Sequence, residues 1–506
     1  MADKSTGDEK MNQLVSELKN VEKSYLNKDI LQIEELTIYE NQKIGIVGRN
    51  GEGKSTLLKL ILGKIKPDFG EVKTHIDFKY YAQMNDEVYP DFSKIDAEYL
   101  SRLNVPEHDA SFFSGGEQTR LRLAEYFSTY HFGLLMDEPT THLDQEGIQL
   151  LVDQLKYYYG TLVVVSHDRY FLDEVVETIW EVGDGTVRVY NGNYTEYQTQ
   201  KEQERVEQEN AYAQFVKEKS RLEQAAKEKQ AQADKMSQVS AKQKNRSVKP
   251  DRLSSSKQKD SVQKAAHKSA KAMEKRVEQL GEVEQVQDER VIQFPTPKTL
   301  EIHNDFPIMG QDITLKRGDN VLFDKLSFQF PLGKRIGIVG TNGSGKSTLL
   351  QYILDEGEGV TLSKKVVFSV YKQMAYQLDS DKSMIDYLME DTEFTQPVVR
   401  SVLNNLGFSQ QVVSKKAVRD LSGGEATRLV IEKLFTDPSN VLILDEPTNF
   451  IDIQTIEALE NLMKSYNGTI LFMSHDQYFM KNVAEQIWEI KNGKLELKEE
   501  RVGVDL

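Results

Sequence analysis

The chain has 506 residues, 39% hydrophobic and 28% charged, with no cysteine and a formal net charge of −16. That length suits two to four domains, and the lack of cysteine excludes a disulfide framework or thiolate metal site and fits a reducing compartment. Apolar runs such as 162–165 and 441–444 are of strand length, well short of the roughly 20 residues of a membrane-spanning helix; residues 1–10 are polar, without a hydrophobic signal core, so a soluble cytoplasmic protein is expected.

In chain order, a short polar tail (1–11) opens a first unit that runs to residue 196. Tyr25 lies 23 residues before Gly48 and reads equally as an adenine-stacking aromatic or a core tyrosine. A short apolar strand at 44–47 leads into Gly48, Arg49, Asn50, Gly51, Glu52, Gly53, Lys54 and Ser55, and a helix-like run over 55–62 follows. Glycines at these spacings let backbone N–H groups turn inward around phosphates, and the helix N-terminus adds partial positive charge. Downstream come Gln83, then Ser114, Gly115, Gly116 and Glu117 opening a probable helix, then Asp137 and Glu138 ending an apolar strand. Asp144 follows, and His167 stands in Ser-His-Asp after a third strand.

Residues 197–296 differ in composition: Lys, Glu, Gln and Ala dominate, all good helix formers. Val262, Ala266, Ala270, Met273, Val277 and Leu280 are spaced for a coiled-coil seam. Val206, Phe215, Leu222 and Ala226 form a less regular first half. Pro250 and the serines at 254–256 break the pattern, which predicts an antiparallel helical hairpin of two helices of about 40 residues, each roughly 60 Å long. A charged flexible linker is the alternative. From Lys235 to Arg276 there are 13 Lys+Arg against 3 Asp+Glu, a net of +10, so the rest of the chain carries −16 − 10 = −26. A basic arm on an acidic body suits one specific polyanion contact. At its tip, Lys242, Lys244, Arg246, Lys249 and Arg252 are candidate phosphate contacts, with Leu253 or Val248 as apolar probes. Any one of these lysines also reads as a solvated face. The interval holds no Phe, Tyr or Trp, so shape-and-phosphate contact with folded RNA is expected, without base stacking.

Residues 297–506 repeat the first unit. Gly340, Thr341, Asn342, Gly343, Ser344, Gly345, Lys346 and Ser347 follow a strand, and Gln373, Ser422, Gly423, Gly424, Asp445, Glu446, Asp452 and His475 come after. The offset is 292 at Gly48/Gly340 and 308 from Ser114/Ser422 to His167/His475; the second unit has 18 more residues between its glutamine and its serine. Strands alternating with helices predict a parallel α/β sheet with its phosphate site at the strands' carboxyl ends.

The two motif sets predict two ATP sites. Lys54 and Lys346 would reach the β- and γ-phosphates, with Thr56 and Thr348 beside them. Ser55, Asp137, Ser347 and Asp445, joined by Gln83 and Gln373, would hold Mg²⁺. Glu138 and Glu446 would orient or deprotonate the attacking water, and His167 and His475 would sense the γ-phosphate. The residues Ser114–Gly116 and Ser422–Gly424 could clamp a γ-phosphate, and each serine is also a plain helix cap. A serine-hydrolase reading of Ser-His-Asp fails, because a triad is assembled in space and not from consecutive residues.

Ser-Gly-Gly-Glu at both signature positions resembles the ATP-binding-cassette superfamily, and two cassettes joined by a charged helical linker resemble its ABC-F translation factors. The resemblance implies cassettes that close head to tail on two ATPs, so that Lys54 and Glu138 face Ser422–Gly424 while Lys346 and Glu446 face Ser114–Gly116. It implies a monomer that binds the ribosomal E site when closed on ATP, with its hairpin toward the P-site tRNA and peptidyl transferase centre. Only 30 residues separate Gln83 from Ser114, too few for the arm of many housekeeping members. That shortness resembles the Vga-type branch, which protects ribosomes from lincosamides, pleuromutilins and streptogramin A. A housekeeping translation factor, the ATPase subunit of a membrane transporter and a DNA-handling ATPase remain as alternatives.

Overall fold

The computed structural model describes residues 13–25, 28–82, 95–106, 113–244, 300–317, 320–371, 378–408, 410–449 and 451–501, with isolated helical positions between 265 and 279. Met1–Tyr197 and Arg290–Leu506 cluster as one compact unit, and Gln198–Glu289 as another.

The first half runs β1 (Leu14–Tyr25), β2 (Lys28–Tyr39), β3 (Lys43–Val47), α1 (Lys54–Ile61), β4 (Phe69–Thr74), β5 (Phe78–Tyr81), α2 (Ala97–Arg102) and α3 (Gly115–Phe127). It continues with β6 (Gly133–Asp137), α4 (Gln145–Lys156), β7 (Thr161–Val165), α5 (Arg169–Val175), β8 (Thr178–Gly183) and β9 (Thr186–Asn191). Its main sheet has the order β5-β6-β7-β3-β8-β9, parallel except for β9, beside an antiparallel β2-β1-β4 sheet. Every residue of β6 and β7 is buried, as a parallel sheet covered on both faces requires. On α4, Ile148, Leu151, Val152 and Leu155 form the buried stripe of an amphipathic helix.

The second half repeats this plan. It has β10 (Ile308–Arg317), β11 (Asn320–Phe330), β12 (Arg335–Gly340), β13 (Val360–Leu362), β14 (Phe368–Tyr371), β15 (Val441–Asp445), β16 (Thr469–Met473), β17 (Gln486–Lys491) and β18 (Lys494–Glu500). The sheet orders are β11-β10-β13 and β14-β15-β16-β12-β17-β18. After the linker helix α6 (Tyr194–Lys244), its helices are α7 (Lys346–Leu354), α8 (Met384–Leu388), α9 (Gln396–Asn405), α10 (Gln410–Lys415), α11 (Gly423–Thr436), α12 (Ile453–Ser465) and α13 (Gln477–Val483). The additional residues of this half are spent on α8 to α10, where the first half shows α2 alone among the described residues.

The linker helix α6 has 51 residues, about 75 Å at 1.5 Å each. It is longer than the expected 40: it starts at the buried Tyr194, three residues before the expected linker, and runs on to Lys244. Along it Leu222 and Ala226 are buried and Val206 is exposed. The expected reversal at Pro250, most of the seam positions, Arg246, Lys249, Arg252 and Leu253 lie outside the described residues. Lys242 and Lys244 belong to the last turns of α6. Among the described residues no helix is long and apolar enough to cross a membrane.

Candidate ATP sites

Adjacent strands bring the motifs together. In the first half β6, β7 and β3 lie side by side and parallel, so the carboxylates at the end of β6, the histidine after β7 and the phosphate loop after β3 meet at the carboxyl ends of these strands. Gly53 caps α1 at φ 104° and Gly345 caps α7 at φ 99°, a left-handed conformation that glycine adopts without Cβ strain. It turns the loop so that Lys54 lies buried at its centre. Lys54 Nζ donates to the carbonyls of Gly48 (2.7 Å) and Arg49 (3.0 Å), and Lys346 Nζ to those of Gly340 (2.7 Å) and Thr341 (3.2 Å). Burial lowers both ammonium pKa values, partly offset by Glu138 and Glu446 respectively. A cation held there against its desolvation cost is suited to a polyphosphate.

Glu138 and Glu446 sit at φ 50° and 49°, left-handed positions unusual for a side chain of this size. Their backbone N–H groups are held by the carbonyls of Val165 (2.9 Å) and Met473 (3.1 Å), one strand over, which fixes the turn. Burial pushes the Glu138 carboxyl up to about 8 and that of Glu446 to about 7. Burial also pushes His167 down to about 3 and His475 to about 4, so both imidazoles are neutral. Each histidine meets its glutamate twice: its backbone N–H at 3.2 Å, and its ring Nε2 at 3.3 Å for His167 and 3.2 Å for His475. With neutral rings the ring contacts are not ion pairs, and the hydrogen bond to each glutamate is the one from the histidine backbone N–H. Among the described residues Glu138 Oε1 and Glu446 Oε1 are buried without a hydrogen-bond partner, leaving an acceptor for water on each side.

The halves complete each other's sites. One cavity of 500 Å³ is lined by Ser114, Gly115 and Gly116 of the first half and by Asn342, Gly343, Gly345, Lys346, Ser347, Thr348, Asp445, Glu446 and His475 of the second. The other, of 470 Å³, is lined by Tyr25, Asn50, Gly51, Gly53, Lys54, Ser55, Thr56, Asp137, Glu138 and His167, with Thr448, Asn449 and Ile456 across from them. There Gly424 is brought to the loop, its Cβ position 3.6 Å from Asn50 Nδ2, whereas Ser422 and Gly423 do not line the cavity. Both signature serines form a capping box with the glutamate three residues on. Gln83 and Gln373 lie outside the described residues.

Asp144 and Asp452 carry more than their place in the motif suggested. Each caps its own helix and also accepts the loop asparagine's backbone N–H of the opposite half: Asn342 N to Asp144 at 3.3 Å and Asn50 N to Asp452 at 3.0 Å. The constant offset of 308 was the available signal. Tyr80, whose hydroxyl lies 3.4 Å from Asp137, had none, since the second half has Val370 there.

A family profile described as ABC transporter matches residues 31–141 and 323–449, and a second with the same description matches 180–261. The erythromycin resistance ATP-binding protein MsrA of Staphylococcus epidermidis is 46% identical over 91% of this chain and 94% of its own. The ribosome protection protein VmlR of Bacillus subtilis is 32% identical over 95% and 87%, and the energy-dependent translational throttle protein EttA of Escherichia coli K12 is 31% identical over 93% and 91%. Among solved structures, the archaeal ribosome recycling factor aABCE1, in complex with the ribosomal stalk protein aP1, aligns with a TM-score of 0.60 and 16% identity over 94% of this chain and 89% of that one, a likeness of fold alone. Two ATP-binding cassettes that complete each other's sites, matched nearly end to end by relatives at 31–46% identity, place the chain: it belongs to the ABC-F family of tandem ATP-binding-cassette ATPases.

Proposed function

We propose that the chain is a ribosome-binding ATPase of the resistance type. It closes on two ATPs, enters the ribosomal E site in that state, sets its linker tip near the P-site tRNA and peptidyl transferase centre, and leaves on hydrolysis. The observation that carries the reading is the pairing of each phosphate loop with the opposite cassette, because a ligand can shift an equilibrium only by binding one state better. The basic interval 235–276 supports the RNA contact, and the 46% identity to a protein named for erythromycin resistance supports the resistance role. Identity of 31% to a translational throttle protein favours the housekeeping role as second reading.

In this mechanism Lys54 and Lys346 neutralise phosphate charge, while Glu138 and Glu446 orient the attacking water and accept its proton. His167 and His475, neutral and bonded to those glutamates, hold them in place. Ser55 bonds to Asp137 and Ser347 to Asp445, a hydroxyl–carboxylate pair at each site. Few protein ligands of this kind suit Mg²⁺, which keeps most of its waters; among the described residues there is no cluster of three acidic, histidine or cysteine ligands that would favour another metal. When bound, Mg²⁺ would neutralise charge on the phosphates.

The test is co-sedimentation with ribosomes of the Glu138→Gln/Glu446→Gln chain in ATP, beside a variant with Lys242, Lys244, Arg246, Lys249 and Arg252 changed to Ala. ATP-dependent trapping that weakens in the tip variant is expected; no trapping in either nucleotide state would end the ribosomal reading. Growth in erythromycin, a lincosamide, a pleuromutilin and streptogramin A separates a resistance factor from a housekeeping one.

A further inference from the structure

A feature outside the two sites proper lies between them. Arg169, the first residue of α5, is 1% exposed and directly follows the Ser166–His167–Asp168 turn of the first site. Its side chain crosses into the second cassette. There Nη2 donates to Glu460 Oε1 on α12 at 2.6 Å and to Asp476 Oδ2 at 3.2 Å. Asp476 directly follows His475, the sensor of the second site, and caps α13. Asp168, which caps α5, lies close enough to Asp476 for their charges to oppose one another. So the turns carrying the two histidines meet through like charges, with a buried guanidinium bonded to one of them. Glu460 is fixed in turn by Asn482 Nδ2 at 3.0 Å, and the Arg169 guanidinium stacks over Tyr478 at 5.7 Å.

The arrangement is one-sided. At the offset of 308, Arg169 corresponds to Gln477 and Glu460 to the buried Val152, so the repeat supplies no second copy of this bridge. A single cation therefore serves both turns. A buried charge pair is strongly destabilising to break from one side, so neither turn moves far from the other while the bridge holds.

We infer that Arg169 is a positioning residue that ties the two sensor turns together, so that the two ATP sites hydrolyse in concert and not independently. The inference rests on Glu138 and Glu446 being the two water-activating groups, as proposed above.

The experiment measures ATP hydrolysis at saturating ATP for Glu138→Gln and Glu446→Gln separately, first with Arg169 and then with Arg169→Gln, the residue the second cassette uses. To avoid stranding Glu460 as an unpaired buried charge, Arg169→Gln/Glu460→Gln is run in parallel. With Arg169 the two single-site rates are expected to sum to less than half the rate of the chain with both glutamates. With Arg169→Gln, or the double change, they are expected to sum to the full rate of the corresponding two-glutamate chain, within about a factor of 1.5. A merely structural role would lower all rates together and leave that ratio unmoved, which would overturn the inference. So would rates already additive with Arg169 present. Full hydrolysis by a chain carrying only one of the two glutamate changes is a different failure: it would remove the assignment of the glutamates itself.

Discussion

The two ATP sites share their centres and differ at their edges. Phosphate loop, carboxylate pair, the histidine bonded to the glutamate and the aspartate reaching across are present twice with nearly the same distances. Around them the copies diverge. The first loop carries Arg49, whose Nε bonds to Gln454 of the second cassette, where the second loop has Thr341. Tyr25 stands beside the first loop, and the corresponding position of the second half is Arg317. The outer surfaces have separated further: Tyr130, Phe132, Tyr157 and Tyr159 are exposed on the first cassette where the second has Pro438, Asn440, Ser465 and Asn467. Duplication has kept what the chemistry of phosphate transfer requires and released the rest, so the sites are expected to be equally competent and unequally held.

The largest effect tests competence. A positioned general base contributes about 10²–10⁴-fold, so Glu138→Gln or Glu446→Gln removes nearly all turnover at its own site. The double variant is expected to fall at least a hundredfold in steady-state phosphate release while still binding ATP. A single variant that hydrolyses at the full rate would break the claim that both sites work.

The next effect tests how each site is held. A Cβ on Gly116 would lie 2.8 Å from the His142 carbonyl and 3.0 Å from Asn342 Nδ2, whereas one on Gly424 would meet nothing nearer than 3.6 Å. Gly116→Ala must therefore push the second loop away, and Gly424→Ala fits in ordinary contact. Hydrolysis is expected to fall about tenfold for Gly116→Ala and to change less than twofold for Gly424→Ala. Equal losses would mean that the signatures are seated alike.

Much of this was legible in the sequence, and the reason is local. Gly48–Ser55, Asp137–Glu138 and His167 are short runs at strand ends, where the chemistry needs particular side chains at fixed spacing; the strands themselves showed as apolar runs because the sheet is covered on both faces. The helical insertion of the second half could be counted from the offset. What stayed hidden depends on how two halves pack. Arg169 and Glu460 are separated by 291 positions, and neither breaks a local pattern. The left-handed backbone of Glu138 was also hidden, because the proline after it points to extended backbone instead.

A smaller effect concerns the edge at Tyr25. It is 46% exposed, lines the cavity with Asn50 and Lys54, and carries Lys23 Nζ 5.4 Å above its ring. Stacking of a base on an aromatic ring is worth about 1–3 kcal/mol, so Tyr25→Ala is expected to raise the KM for ATP about tenfold in the Glu446→Gln background. In the Glu138→Gln background, where only the second site turns over, the rise should be smaller, since there Tyr25 acts only through closure on both nucleotides. An unchanged KM in the Glu446→Gln background would remove the stacking role.

The smallest effect leaves the sites altogether. Glu432 on α11 is 0% exposed, neither carboxylate oxygen has a hydrogen-bond partner among the described residues, and the first cassette has Ala124 at the same place. Burial raises its pKa well above the usual 4.5. A group whose folded pKa is raised binds its proton more tightly when folded. Its contribution to stability is therefore complete below about pH 4.5 and is lost as pH rises through the folded value. At this position the second cassette thus loses stability toward alkaline pH, a loss that alanine at the same place in the first does not incur. Glu432→Met removes the titrating group at nearly constant length; leaving a buried polar group unsatisfied costs about 1–3 kcal/mol. Thermal unfolding should show the variant more stable at pH 8, with the difference shrinking toward pH 5 and ATP hydrolysis unchanged. A gain of the same size at both pH values would mean that packing, and not the proton, sets the cost of this carboxyl.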